Sequence, residues 1–329
     1  MGSTRSENQM DHITLFITFY FIVSGALCIL VFITNGLIVG VNVTDWMKGR
    51  SLMPSDEILA SLGLSNLCFC TSLILDYFIS LTWKEFFRKF YMVQKITFTL
   101  DIAASFLSFW FTAWLSVFYC MKIVNIKQSF LLRVKLQFSS LVRWFLLGSV
   151  LASCGATFLV TLTFKTVSQA SDNLNNQTFL SLPSDFNFTN DYKKQKLILV
   201  HMTMPYKLLP IILGCSVPLV IVIASSVPIL NTLFRHAKNL EQNATIFHNP
   251  RLEVHLNAAK SVLSLLISYT ALFVCEIIIR TEIFPNWTYQ YFLCLIFQLA
   301  TLVAQGFILV ASNPKLKQSA VQIISCVQQ

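Results

Sequence analysis

The sequence predicts an all-helical membrane protein, a single domain built as a bundle of seven transmembrane helices. Two observations carry this: apolar residues make up 55% of the 329-residue chain against 12% charged, and they gather into seven stretches long enough to cross a bilayer. Soluble domains carry about 25% charged residues, so the bulk solvent of this fold is lipid. A spanning helix needs about 20 mostly apolar residues, because every backbone N–H and C=O must be satisfied within the segment.

Taken in order, the first span covers 13–43 and holds no charge. It is too long for the apolar region of a signal peptide and has no small-residue cleavage site behind it. The second, 58–82, carries only Asp76, and the third, 90–121, carries Lys95 and Asp101. The fourth, 144–164, and the fifth, 208–234, are free of charge, and Pro218 and Pro228 in the fifth are helix-kinking residues that lipid-embedded helices tolerate. The sixth, 261–279, carries only Glu276; the seventh, 289–312, is uncharged. The longest connection, 165–202, is the expected large outer loop.

The nine cysteines fall almost entirely inside apolar stretches, where free Cys behaves as a small hydrophobe. Cys68 and Cys70 lie two apart, without the spacing of a zinc or redox site, so neither a metal nor another cofactor is expected. The net charge of +9 is scattered between the spans and forms no basic stripe, which argues for lipid headgroups and a cytoplasmic protein as partners rather than nucleic acid. With the N-terminus outside, thirteen of the 24 Lys and Arg residues fall on the inner side, a near balance that leaves the positive-inside rule with a weak vote. The loop 165–202 decides for an extracellular N-terminus, because it holds the glycosylation sequons at Asn176 and Asn187. Asn42 and Asn243 would then lie inside and stay bare, and Asn286 outside. The competing signal is the opening Met-Gly-Ser-Thr-Arg-Ser, which fits myristoylation at Gly2 and would invert the topology.

Four separated segments carry a family resemblance. Asn42-Val43-Thr44-Asp45-Trp46-Met47-Lys48-Gly49-Arg50, followed by Asp56-Glu57-Ile58-Leu59, is similar to the first cytoplasmic loop of the bitter taste receptors. Leu115 to Asn125 resembles their L-S-x-F-Y-x-L-K-I-A-N run at the inner end of span three, and His255 to Ser261 their H-x-x-A-L-K-T entry to span six. Asn313-Pro314-Lys315-Leu316-Lys317-Gln318 resembles the family's ending of span seven. The chain departs from the pattern at Asn66, where the family has Arg, and at Gln305-Gly306, where it tends to have His-Ser or His-Pro. Rhodopsin-like signatures are missing: there is no Asp/Glu-Arg-Tyr in span three and no Cys-Trp-x-Pro in span six.

The resemblance implies a G protein-coupled receptor of the plasma membrane, multi-pass, with a small-molecule agonist between the outer halves of spans two, three, five, six and seven and a heterotrimeric G protein at the inner ends. It places Asp76, Tyr77, Asp101, Ser105, Phe106, Phe109, Leu272, Cys275, Glu276, Leu295 and Thr301 at or near the ligand, and Lys122, Arg235, His236, His255 and Lys260 at the coupling mouth. The charges themselves point the same way. An ionisable side chain within a span costs about 2.5–3.5 kcal/mol on insertion scales, so each faces protein, water or a ligand. Asp101 and Asp76 read either as counterions for a cationic agonist or as helix ties, Asp101 then pairing with Lys95 or Lys207. Glu276 reads as a solvated rim residue, and the pocket aromatics read equally as ordinary helix packing. No G-x-S-x-G, H-E-x-x-H or Walker motif is present, and the expectation is a non-enzyme. The rival readings are a vomeronasal type 1-like receptor, against which the D-W-x-K-x-R loop stands, and a small-solute transporter, which would show matching repeats.

Overall fold

A computed structural model describes residues 2–82, 91–123, 140–159, 211–242, 250–281, 283–284 and 288–327; the side chains of 2–14, 17, 76–82, 91–95, 213, 233–242, 250–259 and 327 are not described. Seven helices are long and apolar enough to cross a membrane. They are α1 (Gly2–Met47), α2 (Pro54–Thr82), α3 (Tyr91–Ile123), α4 (Ser140–Leu159), α5 (Val217–Gln242, entered through a π-turn at Ile212–Ser216), α6 (Pro250–Arg280) and α7 (Tyr289–Ser312). An eighth, amphipathic helix, α8 (Pro314–Val327), follows. Several helices overrun their expected spans: α1 extends to both sides of 13–43, and α6 begins at Pro250 rather than 261. Hydropathy reports where lipid begins, whereas hydrogen bonding carries a helix on into polar sequence. Residues 160–164 of the expected fourth span, and the loop 165–202 with Asn176 and Asn187, lie outside the described residues.

Local signals explain where helices stop and start. Gly49 adopts φ +73, the left-handed conformation that glycine enters without a Cβ clash, and ends α1. Its N–H reaches Trp46 O at 3.0 Å and that of Arg50 reaches Asp45 O at 3.1 Å, the paired bonds of a Schellman stop. Pro54 opens α2, with Asp56 and Glu57 in the positive first turn. At the α7–α8 corner Asn313 is extended, and its Oδ1 accepts the Lys315 N–H at 3.0 Å, while Pro314 takes the first helical position.

Those two regions meet in space. Lys315 Nζ lies 2.8 Å from Asp45 Oδ2 and 3.1 Å from Asp56 Oδ2, and donates to Asn42 Oδ1 at 2.9 Å, which ties α8 to α1 and α2. Burial pulls the ammonium's pKa down, but the hydrogen bonds to Asp45 and Asp56 outweigh it and hold the group above the ordinary lysine value. Asn42 is buried in this clamp, and its Nδ2 donates to Ile38 O at 2.9 Å.

The middle of the bundle is polar. Asn66 Nδ2 donates to Asn35 Oδ1 at 3.0 Å, and Ser108 Oγ donates to Asn66 Oδ1 at 2.7 Å. One turn along α3, Thr112 Oγ1 accepts from Gln305 Nε2 at 3.1 Å. The network joins α1, α2, α3 and α7, and every member is buried. Gly306 lets α7 approach α1 here, since a Cβ on it would lie 2.5 Å from Thr34 Oγ1. Other helix pairs are joined in the same way, by Ser116 with Ser225, Ser261 with Ser312, and Trp114 Nε1 with Ser149 Oγ. Small polar side chains suit bundle interfaces because they permit close packing and find partners where water is absent.

Candidate functional site

On α3, Asp101, Ser105 and Phe109 recur at four-residue spacing and share one face, with Phe106 beside them. On α6, Glu276 and Arg280 stand one turn apart, and α7 contributes Gln298. These side chains converge. Glu276 is only 2% exposed, which corrects the reading of it as a solvated rim residue. Its Oε1 accepts from Arg280 Nε and, at 3.2 Å, from Ser105 Oγ, while Oε2 accepts from Gln298 Nε2 at 3.1 Å. Three donors from three helices replace the hydration shell that this carboxylate gives up on burial.

Arg280 holds the cluster together. Its Nη2 donates to Ser105 Oγ at 3.1 Å and lies 3.6 Å from Asp101 Oδ2, and its guanidinium sits 5.8 Å from the centre of the Phe106 ring. Among the described residues Arg280 is thus an ion-pair partner of Asp101. Lys95 and Lys207, the sequence-based candidates, have side chains outside the described residues. Of the two carboxylates that face Arg280, the more accessible is Asp101, its side chain 22% exposed.

Behind the charges lies a packed aromatic layer. Phe106 is fully buried against the π-turn of α5, where a Cβ on Gly214 would fall 2.4–2.5 Å from three of its ring carbons. The turn has a sequence cause: Pro218 has no N–H for Gly214 O, and its ring would crowd that carbonyl, so the helix widens ahead of it. The Val217 N–H bonds Ile212 O, and Cys215 O accepts the Tyr269 hydroxyl from α6 at 2.9 Å. Phe109 packs edge-on against Tyr269 with ring centres 4.9 Å apart. A continuous set of contacts thus runs from Asp101 and Arg280 through Phe106 to the junction of α5 and α6.

Of the expected ligand residues, Asp101, Ser105, Phe106 and Glu276 come together at one place, and Phe109 and Leu272 pack in the hydrophobic layer beneath. Cys275 is buried on α6. Leu295 instead belongs to a separate cluster with Tyr20 and Phe292, and the Thr301 hydroxyl turns back to Phe297 O at 2.8 Å on its own helix. Asp76 and Tyr77 lie on α2 with side chains outside the described residues. At the far end of the bundle, Lys122 near the C-terminus of α3 and Lys260 where the apolar part of α6 begins are exposed, while the side chains of Arg235, His236 and His255 lie outside the described residues. Sequence reasoning missed Arg280 and Gln298. The Glu276–Arg280 spacing of four was the available signal.

A buried ionic cluster within a seven-helix bundle, with an amphipathic helix after the seventh span, defines the class as a seven-transmembrane receptor. The chain superimposes on the crystal structure of squid rhodopsin with a TM-score of 0.56 over 94% of its own length and 86% of the other, at 15% identity. It belongs to the taste receptor type 2 family: residues 12–328 match the family described as Taste receptor protein (TAS2R). It is 32% identical to taste receptor type 2 member 41 of Rattus norvegicus, over 93% of this chain and 95% of that receptor. It is 30% identical to taste receptor type 2 member 40 of Gallus gallus, over 96% and 98%.

Proposed function

We propose that this chain is a chemosensory receptor of the plasma membrane, N-terminus outside, that binds small bitter-type compounds in the outer half of the bundle and activates a heterotrimeric G protein from the inner end. The observation that carries the reading is the ionic cluster of Asp101, Glu276 and Arg280, which joins α3 to α6 beside a packed aromatic layer. Charges buried in a span mark functional sites because their insertion is costly, and a partly exposed carboxylate at Asp101 suits an ammonium-bearing agonist. The contact of Phe106 with the α5 π-turn, and of Cys215 O with Tyr269, offers a route by which a ligand displacing Arg280 would shift α6 against α5. Outward movement of α6 would expose the basic inner mouth, where Lys122, Lys260, Arg235, His236 and His255 face the G protein and the anionic lipid surface.

A panel of bitter compounds, read by calcium release in cells carrying this chain and a chimeric G protein, tests the reading. At least one agonist is expected, with responses lost in cells lacking the G protein. Lys122→Ala and His255→Ala should lower the maximal response at equal surface level while agonist affinity stays near the parent's. Parent-like signalling from both would show the coupling face to be misassigned.

The orientation has its own test. Single Asn→Gln variants read by glycosidase shift should show glycans at Asn187 and Asn176 and none at Asn243. A glycan at Asn243 would reverse the topology.

A further inference from the structure

Between α1, α7 and α8 lies an open groove with a cavity volume of about 760 Å³, within the roughly 300–1,000 Å³ of pockets that hold small organic molecules. Its walls are apolar, formed by Ile33, Leu37, Val41, Phe307, Val310 and Ile324. Two of its lining residues on α1 are Gly36 and Gly40, where an added Cβ would meet nothing within 4 Å, so bare backbone borders the open space. A smooth wall of this kind accepts a flexible chain without side-chain rearrangement.

The mouth of the groove is cationic. Lys48 and Arg50 line it next to Asp45. Arg50 and Lys315 both bind Asp45, and Lys315 also binds Asp56, so three cations stand against two carboxylates. The cation left over is Lys48: it is exposed, and among the described residues no carboxylate lies within ion-pair distance of it. An apolar channel that ends at an uncompensated ammonium matches the chemistry of a molecule with an acyl chain and an anionic head.

We infer that this groove binds one anionic glycerophospholipid, with an acyl chain along Gly36, Gly40 and Phe307 and its phosphate at Lys48 and the outer edge of Arg50. A sterol would fit the glycine wall but leave the cations unused, and a second copy of the chain would bring its own Lys48 toward this one. The inference rests on the proposed orientation only in setting the mouth at the cytoplasmic leaflet, where anionic lipids reside.

Native mass spectrometry tests it on the full chain released from nanodiscs of phosphatidylcholine containing phosphatidylserine as a minor component in both leaflets. With both leaflets alike and no agonist or G protein present, the result is independent of topology and of signalling. The parent should retain phosphatidylserine well above its bulk proportion. Lys48→Gln removes one surface charge and no contact of the Lys315 clamp, and should lower that enrichment about fivefold, the effect of one basic residue near an anionic surface. Gly36→Leu fills the groove and should reduce retention of both phospholipids. Retention at the bulk ratio by the parent, or unchanged enrichment in Lys48→Gln, would overturn the site. Displacement of phosphatidylserine by added cholesterol would assign the groove to a sterol, and a dimer species lost in Gly36→Leu would assign it to self-association; either result also overturns the inference.

Discussion

Arg280→Met is expected to destabilise the receptor by about 3–5 kcal/mol, the cost of breaking a buried ion pair by removing one partner. The reason lies in Glu276. It is 2% exposed, and without Arg280 its Oε1 keeps only the Ser105 hydroxyl, which cannot balance a full charge out of water. Surface expression should collapse, and the purified protein should unfold at a markedly lower temperature than the parent. The second change, Glu276→Gln, should restore most of the loss, since a glutamine keeps a carbonyl for Ser105 or Gln298 and carries no charge. A double-mutant cycle on thermal unfolding gives the coupling. Arg280→Met as stable as the parent, or a double variant no better than the single, would mean that Glu276 is neutral in the fold and the cluster is not ionic.

The helices were legible in the sequence because lipid imposes one strong rule on every span, and seven uncharged or nearly uncharged stretches follow it. The ends were not, as α1 and α6 show: Pro250–Lys260 is polar yet continues helically into the span. The family motifs were legible as strings without their reason. In the fold Asn313 caps α8, Pro314 starts it, and Lys315 reaches Asn42, Asp45 and Asp56 in the first-loop motif. Two distant stretches of sequence thus form one clamp. The departures at Asn66 and Gln305 read as unrelated changes in spans two and seven. The structure joins them through Ser108 and Thr112 on α3, where both serve one buried network.

The site was half legible. Asp101, Ser105 and Phe109 fall on one face of α3 by spacing alone, and an acid within a span stands out against its neighbours. Arg280 escaped because it sits at the end of its span, where hydropathy reads a cation as a boundary marker rather than as part of the interior. With Arg280 unrecognised, Glu276 looked like a rim residue. The π-turn was equally hidden: Pro218 signals a disturbance of the helix, but only packing shows that Phe106 rests on Gly214 and that the Tyr269 hydroxyl bonds Cys215 O.

Asp101→Asn should separate the ligand from the fold. Unlike Glu276, Asp101 is 22% exposed at its side chain and stands 3.6 Å from Arg280, within reach of an incoming ammonium. Asparagine keeps the shape and removes the charge, and Arg280 retains Glu276 as its principal partner. Ammonium-bearing agonists are therefore expected to weaken by about 2–5 kcal/mol, the range for truncating one side of a buried charge pair, or roughly thirtyfold and more in half-maximal concentration. Neutral agonists should shift little, and the unfolding temperature and surface level should stay near the parent's. The measurement is a matched pair of calcium-release curves, one cationic and one neutral agonist, on parent and variant at equal surface density. Equal weakening of both agonists, or a collapse of surface expression, would make Asp101 a structural tie between α3 and α6. The counterion would then have to lie elsewhere in the pocket, because Glu276 is already enclosed by Arg280, Ser105 and Gln298 and leaves no face for a ligand amine.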